Sequence, residues 1–204
     1  MNTKFAHMLA VAVWAGAGVA QATSLHNGSG LGVPHQTLDF EGVVLVANQP
    51  VTTQFASAGA NFLNAFANPD QRSYPNFSGN RLGDFRAGIG GTGLFTVDFA
   101  TDQTEVAFAI ISAPGTATFQ AFLKGNLVES FTGSTSTSDP NNFYGFQGIA
   151  MDRLTVHVQS SDNVFIMDNL QTIPVPEPQA GLLLAVGLAA LCLLAQRRPG
   201  TRAD

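Results

Sequence analysis

Between residues 23 and 173 apolar and polar side chains alternate in short runs, and no stretch holds a sustained period of 3.6 residues. The cleanest run is 153–159, where Leu154, Val156 and Val158 face one way and Thr155, His157 and Gln159 the other. Residues 94–99 alternate in the same manner, and 105–112 put Val106, Phe108 and Ile110 on one face. Residues 116–124 and 127–132 flank Lys124-Gly125-Asn126, a hairpin turn in which Gly or Asn takes a positive φ. Further strands are expected at 37–46, 49–55, 145–150 and 164–170, with loops at 61–80 and 132–142. About seven to nine short strands, with turn signals roughly every eight to twelve residues, predict an all-β, antiparallel two-sheet β-sandwich.

Two stretches break the pattern, one at each end. Residues 8–20 are apolar, follow Lys4, and lead to the small-x-small site Ala20-Gln21-Ala22. Residues 1–22 therefore read as a secretory signal peptide, with the exported chain beginning at Thr23. Residues 23–35 are polar and Gly-rich and read as a flexible arm, leaving 36–173 for the sandwich. At the other end, Pro174, Pro176 and Pro178 space an extended stalk that cannot enter a sheet interior. The run 180–195 is wholly apolar and rich in Leu and Ala, so a transmembrane helix is expected there. Its sixteen residues reach roughly 24 Å, short of a hydrocarbon core of about 30 Å. Arg197 and Arg198 then mark a cytoplasmic side.

The order stalk, apolar run, basic stop, carried by Val175-Pro176-Glu177-Pro178, then 180–195, then Arg197-Arg198, resembles the PEP-CTERM sorting signal of Gram-negative bacteria. The resemblance covers about the last twenty-five residues of the 174–204 tail. It implies that an exosortase in the inner membrane reads the tail and cuts near Pro-Glu-Pro, releasing the protein to the cell surface or the extracellular polymer matrix. The competing reading is an ordinary C-terminal anchor that is never cut.

Composition narrows the body's chemistry. Charged residues are 11% of the chain, and from 23 to 173 twelve acidic side chains stand against five basic ones. That balance argues against nucleic acid, whose phosphates require a basic surface. The single cysteine, Cys192, lies in the apolar tail, so the body can hold no disulfide. Phenylalanine dominates the aromatics, 16 against two Tyr, and suits a dry core because it carries no polar atom.

The run from Leu38-Asp39-Phe40-Glu41 to Ile166-Met167-Asp168-Asn169-Leu170, with Gln54-Phe55, Gly59-Ala60-Asn61-Phe62 and Phe77-Ser78-Gly79-Asn80 between, resembles a jelly-roll domain often placed before PEP-CTERM tails. The resemblance implies that the first and last strands lie side by side, bringing Asp39 and Glu41 near Asp168 and Asn169. Asp39 and Glu41, two apart, would share one strand face. Three carboxylates and an amide would then form a hard-oxygen cage of the kind Ca²⁺ takes. Jelly-roll carbohydrate-binding modules, which the body resembles in outline, often hold a structural calcium there. The plainer reading is that these carboxylates cap turns or face water separately.

Tyr74, Phe77, Phe143, Tyr144 and Phe146 lie in or beside expected loops, and Tyr74, Phe143 and Tyr144 are the candidates for stacking on the sugars of an exopolysaccharide. The plainer reading is that they plug the end of the core. Residues 132–138 hold six hydroxyl side chains in seven, a flexible loop or a surface for polymer contact. His26, His35 and His157 have no second ligand or orienting partner at a defined spacing and read as solvated. No Gly-x-Ser-x-Gly elbow or His-Glu-x-x-His motif is present. Gly88-Ile89-Gly90-Gly91-Thr92-Gly93 leads into a strand, so it reads as a turn and not a phosphate loop. Asp98, Asp102 and Glu105 could be drawn as a glycosidase acid pair, but nothing fixes their separation. The expectation is a non-enzymatic exported protein of the cell surface or biofilm matrix, with a carbohydrate-binding module second and a polymer hydrolase last.

Overall fold

The computed structural model describes residues 23–85, 91–176 and Gly187. The expected signal peptide, Glu177, Pro178, the apolar run around Gly187 with its arginines, and Gly88 to Gly90 lie outside the described residues. Among the described residues no helix is long and apolar enough to cross a membrane.

The body is all-β and antiparallel. Its strands are β1 (Thr23–Asn27), β2 (Gln36–Leu38), β3 (Pro50–Val51), β4 (Ala60–Leu63), β5 (Ala65–Asn68), β6 (Arg81–Gly83), β7 (Leu94–Ser112), β8 (Gly115–Leu123), β9 (Asn126–Thr135), β10 (Phe143–Ser160) and β11 (Phe165–Pro174). They hydrogen-bond in the order β3-β5-β6-β11-β7-β10-β8-β9, with β1 added to β10, β2 to β11 and β4 to β7.

The expectation of two separate sheets needs correction: the hydrogen bonding is one continuous network. Two long strands run through it. Residues 105–109 of β7 pair with 143–147 of β10, and residues 94–98 pair with 153–157. Register shifts around Met151 separate the two stretches. Such bulges bend a ladder, so one sheet can turn over on itself. The folded-over lobes pack sandwich-like around one core. Phe119 of β8 stacks on Tyr144 of β10, centroids 4.9 Å apart, and Phe108 of β7 lies 6.1 Å from Phe119. Phe95 meets Phe165 edge-on at 5.8 Å.

The second half of β7 is buried on both faces. Val106, Phe108 and Ile110 enter the main core, whereas Ala107 and Ala109 join Leu25, Leu31 and Phe143 in a smaller cluster. The cover on that side is the segment expected to be a flexible arm. Residues 23–27 form β1 against β10, with Leu25 opposite Gly145. Leu25 and Leu31 supply apolar anchors, and the Leu31 N–H donates to Gln171 Oε1 at 2.7 Å. An arm carrying two leucines that fit over small residues docks instead of waving.

The expected strand at 37–46 stops at Leu38, because Phe40 adopts φ 63 and turns the chain. The expected loop at 61–80 contains β4 and β5. The last strand runs into the stalk: Pro174 pairs with Gln103, and the Val175 N–H donates to Asp102 O at 2.9 Å. Pro174 sits where the ladder ends, so its missing donor costs nothing inside the sheet.

Candidate functional site

The segment 70–80 and the strands beneath it form the most densely connected polar region. Arg81, on β6, is buried. Its guanidinium donates to the Arg72 carbonyl at 2.9 Å and lies 5.8 Å and 5.7 Å from the Tyr74 and Phe77 ring centres. Asp168, wholly buried on β11, accepts the Ser78 and Asn169 backbone N–H groups at 2.9 and 2.7 Å. Burial pushes the Asp168 carboxyl up to about 7; those two hydrogen bonds and Arg81 pull it down, and nearby Glu41 adds to the rise. Glu41 accepts the Asn80 N–H, Asn80 donates to the Phe40 carbonyl at 3.2 Å, and Asn169 donates to Asn76 O at 2.8 Å. The loop is thus held by the buried Asp168, by the exposed Glu41 and by the Asn169 amide, from two distant parts of the chain.

A second buried carboxylate, Asp84, accepts the Gly93 N–H at 2.7 Å and the Phe165 N–H at 3.1 Å. Burial raises its carboxyl above the ordinary range, against the pull of those bonds. Asp84 ties the turn before β7 to the start of β11. Sequence reasoning missed Arg81 and Asp84; their one signal is a charged residue at each end of the short run Arg81-Leu82-Gly83-Asp84.

Above this support lies a cleft of about 350 Å³. Asp70, Arg72 and Tyr74 line it, Phe85, Pro114 and Val164 give apolar surface, and Thr137 and Asp162 also border it. Arg72 Nη2 reaches Asp70 Oδ2 at 2.6 Å, with its Nε 3.0 Å from each Asp70 oxygen. The Tyr74 hydroxyl donates to Asp70 Oδ2 at 2.9 Å. The Arg72 side-chain hydrogen bonds hold the Asp70 carboxyl well below the usual carboxylate range, against the rise from burial. Burial raises the Tyr74 hydroxyl, and Asp70 adds to the rise. The Arg72 guanidinium also lies 5.5 Å from the Tyr74 ring centre. Tyr74 therefore brings a fixed hydroxyl and a ring that has two guanidinium groups within 6 Å of its centre, and not a bare stacking platform. The wall offers positioned donors and acceptors, and the exposed Pro114 ring supplies apolar surface.

The other sequence candidates fare differently. Phe143 and Tyr144 open β10 beside a loop but are buried, so they plug the core, as in the plainer reading, and offer no surface for stacking on a sugar. The ladder carries both inward. Tyr144 is stacked between Phe119 and His26, its hydroxyl donates to the Ser134 carbonyl, and burial pushes that hydroxyl up to about 12. The calcium cage of Asp39, Glu41, Asp168 and Asn169 does not assemble as expected. Glu41, Asp168 and Asn169 meet at the 76–80 turn. Asp39 lies apart and accepts the Glu41 N–H at 3.1 Å, because the left-handed turn at Phe40 takes the pair off a common strand face. Among the described residues no group of three or more His, Cys, Asp or Glu side chains is placed to hold a metal ion. His26 is not a free arm residue: its ring lies flat on Tyr144 at 4.4 Å, with Nε2 3.7 Å from Asp139. His157 is exposed, facing outward as expected.

Asp98 pairs with Arg153, and Glu105 accepts from Gln147 at 2.8 Å, so each is engaged across a strand pair. A larger hollow of about 470 Å³ beside the β8–β9 turn holds Asp98 and Asp152. Its carboxylates are committed to Arg153 and to the Lys124 N–H, and its aromatic, Phe99, is buried. The hydroxyl-rich run 132–138 is strand up to Thr135, whose hydroxyl lies 2.6 Å from that of Ser112.

No family model and no curated protein matches the chain. Among solved structures it is similar to the enzymatically active domain of tailspike protein 4 of bacteriophage CBA120, at 13% identity and a TM-score of 0.33. The match covers 78% of this chain and 20% of that one, so this chain spans about a fifth of that protein's length.

Proposed function

We propose that the chain is an exported, non-enzymatic protein of the cell surface or extracellular matrix. Its jelly-roll-like body holds polysaccharide in the cleft of Asp70, Arg72 and Tyr74. Its tail, from Val175-Pro176-Glu177-Pro178 to Arg197 and Arg198, is an address read by an exosortase in the inner membrane of a Gram-negative bacterium. The carrying observation is the cleft wall: Arg72 and Tyr74 each hydrogen-bond to Asp70 at 2.6 to 3.0 Å, and exposed Pro114 and Thr137 line the same cleft. A rigid polar frame next to an apolar surface suits a ring with hydroxyls at its edge and hydrogens on its faces.

Catalysis is less well supported. Glycoside hydrolysis needs one carboxylic acid with a raised pKa facing a carboxylate. Asp70 is held ionised by Arg72, the opposite of what a general acid requires. The raised carboxyls, Asp84 and Asp168, are buried, do not line the cleft and are bonded to backbone amides.

Two experiments test the reading. A glycan array probed with the mature protein is expected to show saturable binding to one class of polysaccharide, lost in Tyr74→Ala. Mass spectrometry of the protein from its host is expected to find an N-terminus at Thr23 and a C-terminus near Glu177. Intact chain carrying residues 180–195 at steady state in the inner membrane would overturn the sorting part.

A further inference from the structure

The cleft continues past its rim. Pro114 and Thr137 flank the ends of β8 and β9 that pair at Gly115 and Thr135. From there the outward side chains of β8 and β9 form three rungs: Thr116 beside Ser134, Thr118 beside Thr132, Gln120 beside Ser130. Strand β10 extends each rung with Gln159, His157 and Thr155. All nine side chains are exposed or half-exposed, and the alternating Ala117, Phe119 and Ala121 of β8 point into the core. Sheet geometry sets the rungs about 7 Å apart along the strands and their members about 4.8 Å apart across them.

None of the nine rung side chains is a carboxylate, ammonium or guanidinium; beside the third rung the Glu129 carboxylate accepts the Ser130 N–H at 2.9 Å. At its far end Asp98 and Arg153 neutralise each other. The Thr118 and Thr132 hydroxyls lie 3.1 Å apart, and Thr155 donates to Gln120 at 3.4 Å, so the polar groups are oriented while keeping lone pairs and protons for a ligand. A protein partner would look for aromatic or Arg anchors, and the three rungs have none. An anionic polymer would find no fixed cation along them.

We infer that β8, β9 and β10 form a track for an extended neutral polysaccharide, of which the cleft grips one part and the rungs the units that follow. The inference rests on the cleft reading above and adds the charge class and a length requirement. Hydroxyl and amide side chains in a flat array exchange hydrogen bonds with the hydroxyls of successive sugars, and each further rung covered adds to the hold.

Isothermal titration of the mature protein against neutral oligosaccharides of two and six residues, drawn from glucan, mannan and galactan, with a uronic-acid hexamer alongside, tests this. Affinity for the matching neutral series is expected to rise about tenfold or more from dimer to hexamer, with the uronic acid weaker. The exposed pair Thr118→Glu with Thr132→Glu is expected to remove that gain and leave dimer binding unchanged; Gln120→Glu with Ser130→Glu serves if the first pair fails to fold. Equal affinity at both lengths, a gain kept in the folded variant, or preference for the uronic acid would overturn the track alone. Binding of no sugar at either length would overturn the cleft reading with it.

Discussion

Asp168 accepts the backbone N–H of Ser78 at 2.9 Å, tying the last strand to a loop ninety residues earlier in the chain. Because burial pushes the Asp168 carboxyl up to about 7, above the ordinary value near 3.9, the folded state binds its proton more tightly than the unfolded state does. The resulting stability is complete below the unfolded value and is lost as pH rises through the folded one, at about 1.4 kcal/mol for each unit of difference. Thermal melts are therefore expected to fall between pH 5 and pH 8, and Asp168→Asn is expected to flatten that slope. A slope unchanged in the variant would assign the effect to another group.

Asp168 and the nearby Glu41 together give a metal test. Glu41 and Asp168 already accept the Asn80 and Ser78 amides, and Asp39 stands apart. Melts in chelator and in millimolar Ca²⁺ are expected to coincide across that pH range. A calcium-dependent rise that abolishes the alkaline loss would mean that Glu41, Asp168 and nearby main-chain oxygens complete a cation site.

Asp84→Ala leaves the Gly93 and Phe165 amides without an acceptor in a buried place. At about 1–3 kcal/mol for each orphaned donor, the loss is expected at about 2–6 kcal/mol, read from urea unfolding. A cost under about 1 kcal/mol would show that water reaches the turn and replaces the carboxylate.

Two glycines separate space from conformation. A Cβ at Gly145 would fall 1.8 Å from the Val106 carbonyl oxygen and 2.7 Å from the Ala107 Cα, so β10 would have to move off β7. Gly145→Ala is expected to cost about 3 kcal/mol or more, at the upper end of overpacking. Gly125, with φ 79 and nothing within 4 Å, is expected to lose only the left-handed preference, about 1–2 kcal/mol. Equal costs in unfolding experiments would contradict this division.

What could be read in the sequence follows where each residue's partner lies. The β8–β9 hairpin was legible because its information is local: Lys124 and Gly125 take φ 51 and 79 in the turn, and alternation fixes the faces of each strand. The outward Thr155, His157 and Gln159 were legible for the same reason. The docking of residues 23–35 was not, since Leu25 and Leu31 reveal their role only when Ala107, Ala109 and Phe143 are beneath them. Phe143 and Tyr144 looked like loop-end aromatics because the expected strand began only at 145, whereas β10 starts at Phe143. Of the candidate ligand-binding aromatics only Tyr74 lines the cleft, and its hydroxyl partner Asp70 lies four residues away on the same loop. The supports beneath, Arg81 and Asp168, come from other strands and left no periodic trace.

The central claim is that the Asp70, Arg72 and Tyr74 wall holds polysaccharide, and affinity gel electrophoresis through the host's own matrix polysaccharide tests it most directly. Retardation of the mature protein is predicted, with loss of retardation in Tyr74→Ala and Arg72→Ala variants that melt near the wild-type temperature. Equal migration of the wild-type protein with and without polysaccharide, or variants retarded as strongly as the wild type, would contradict it.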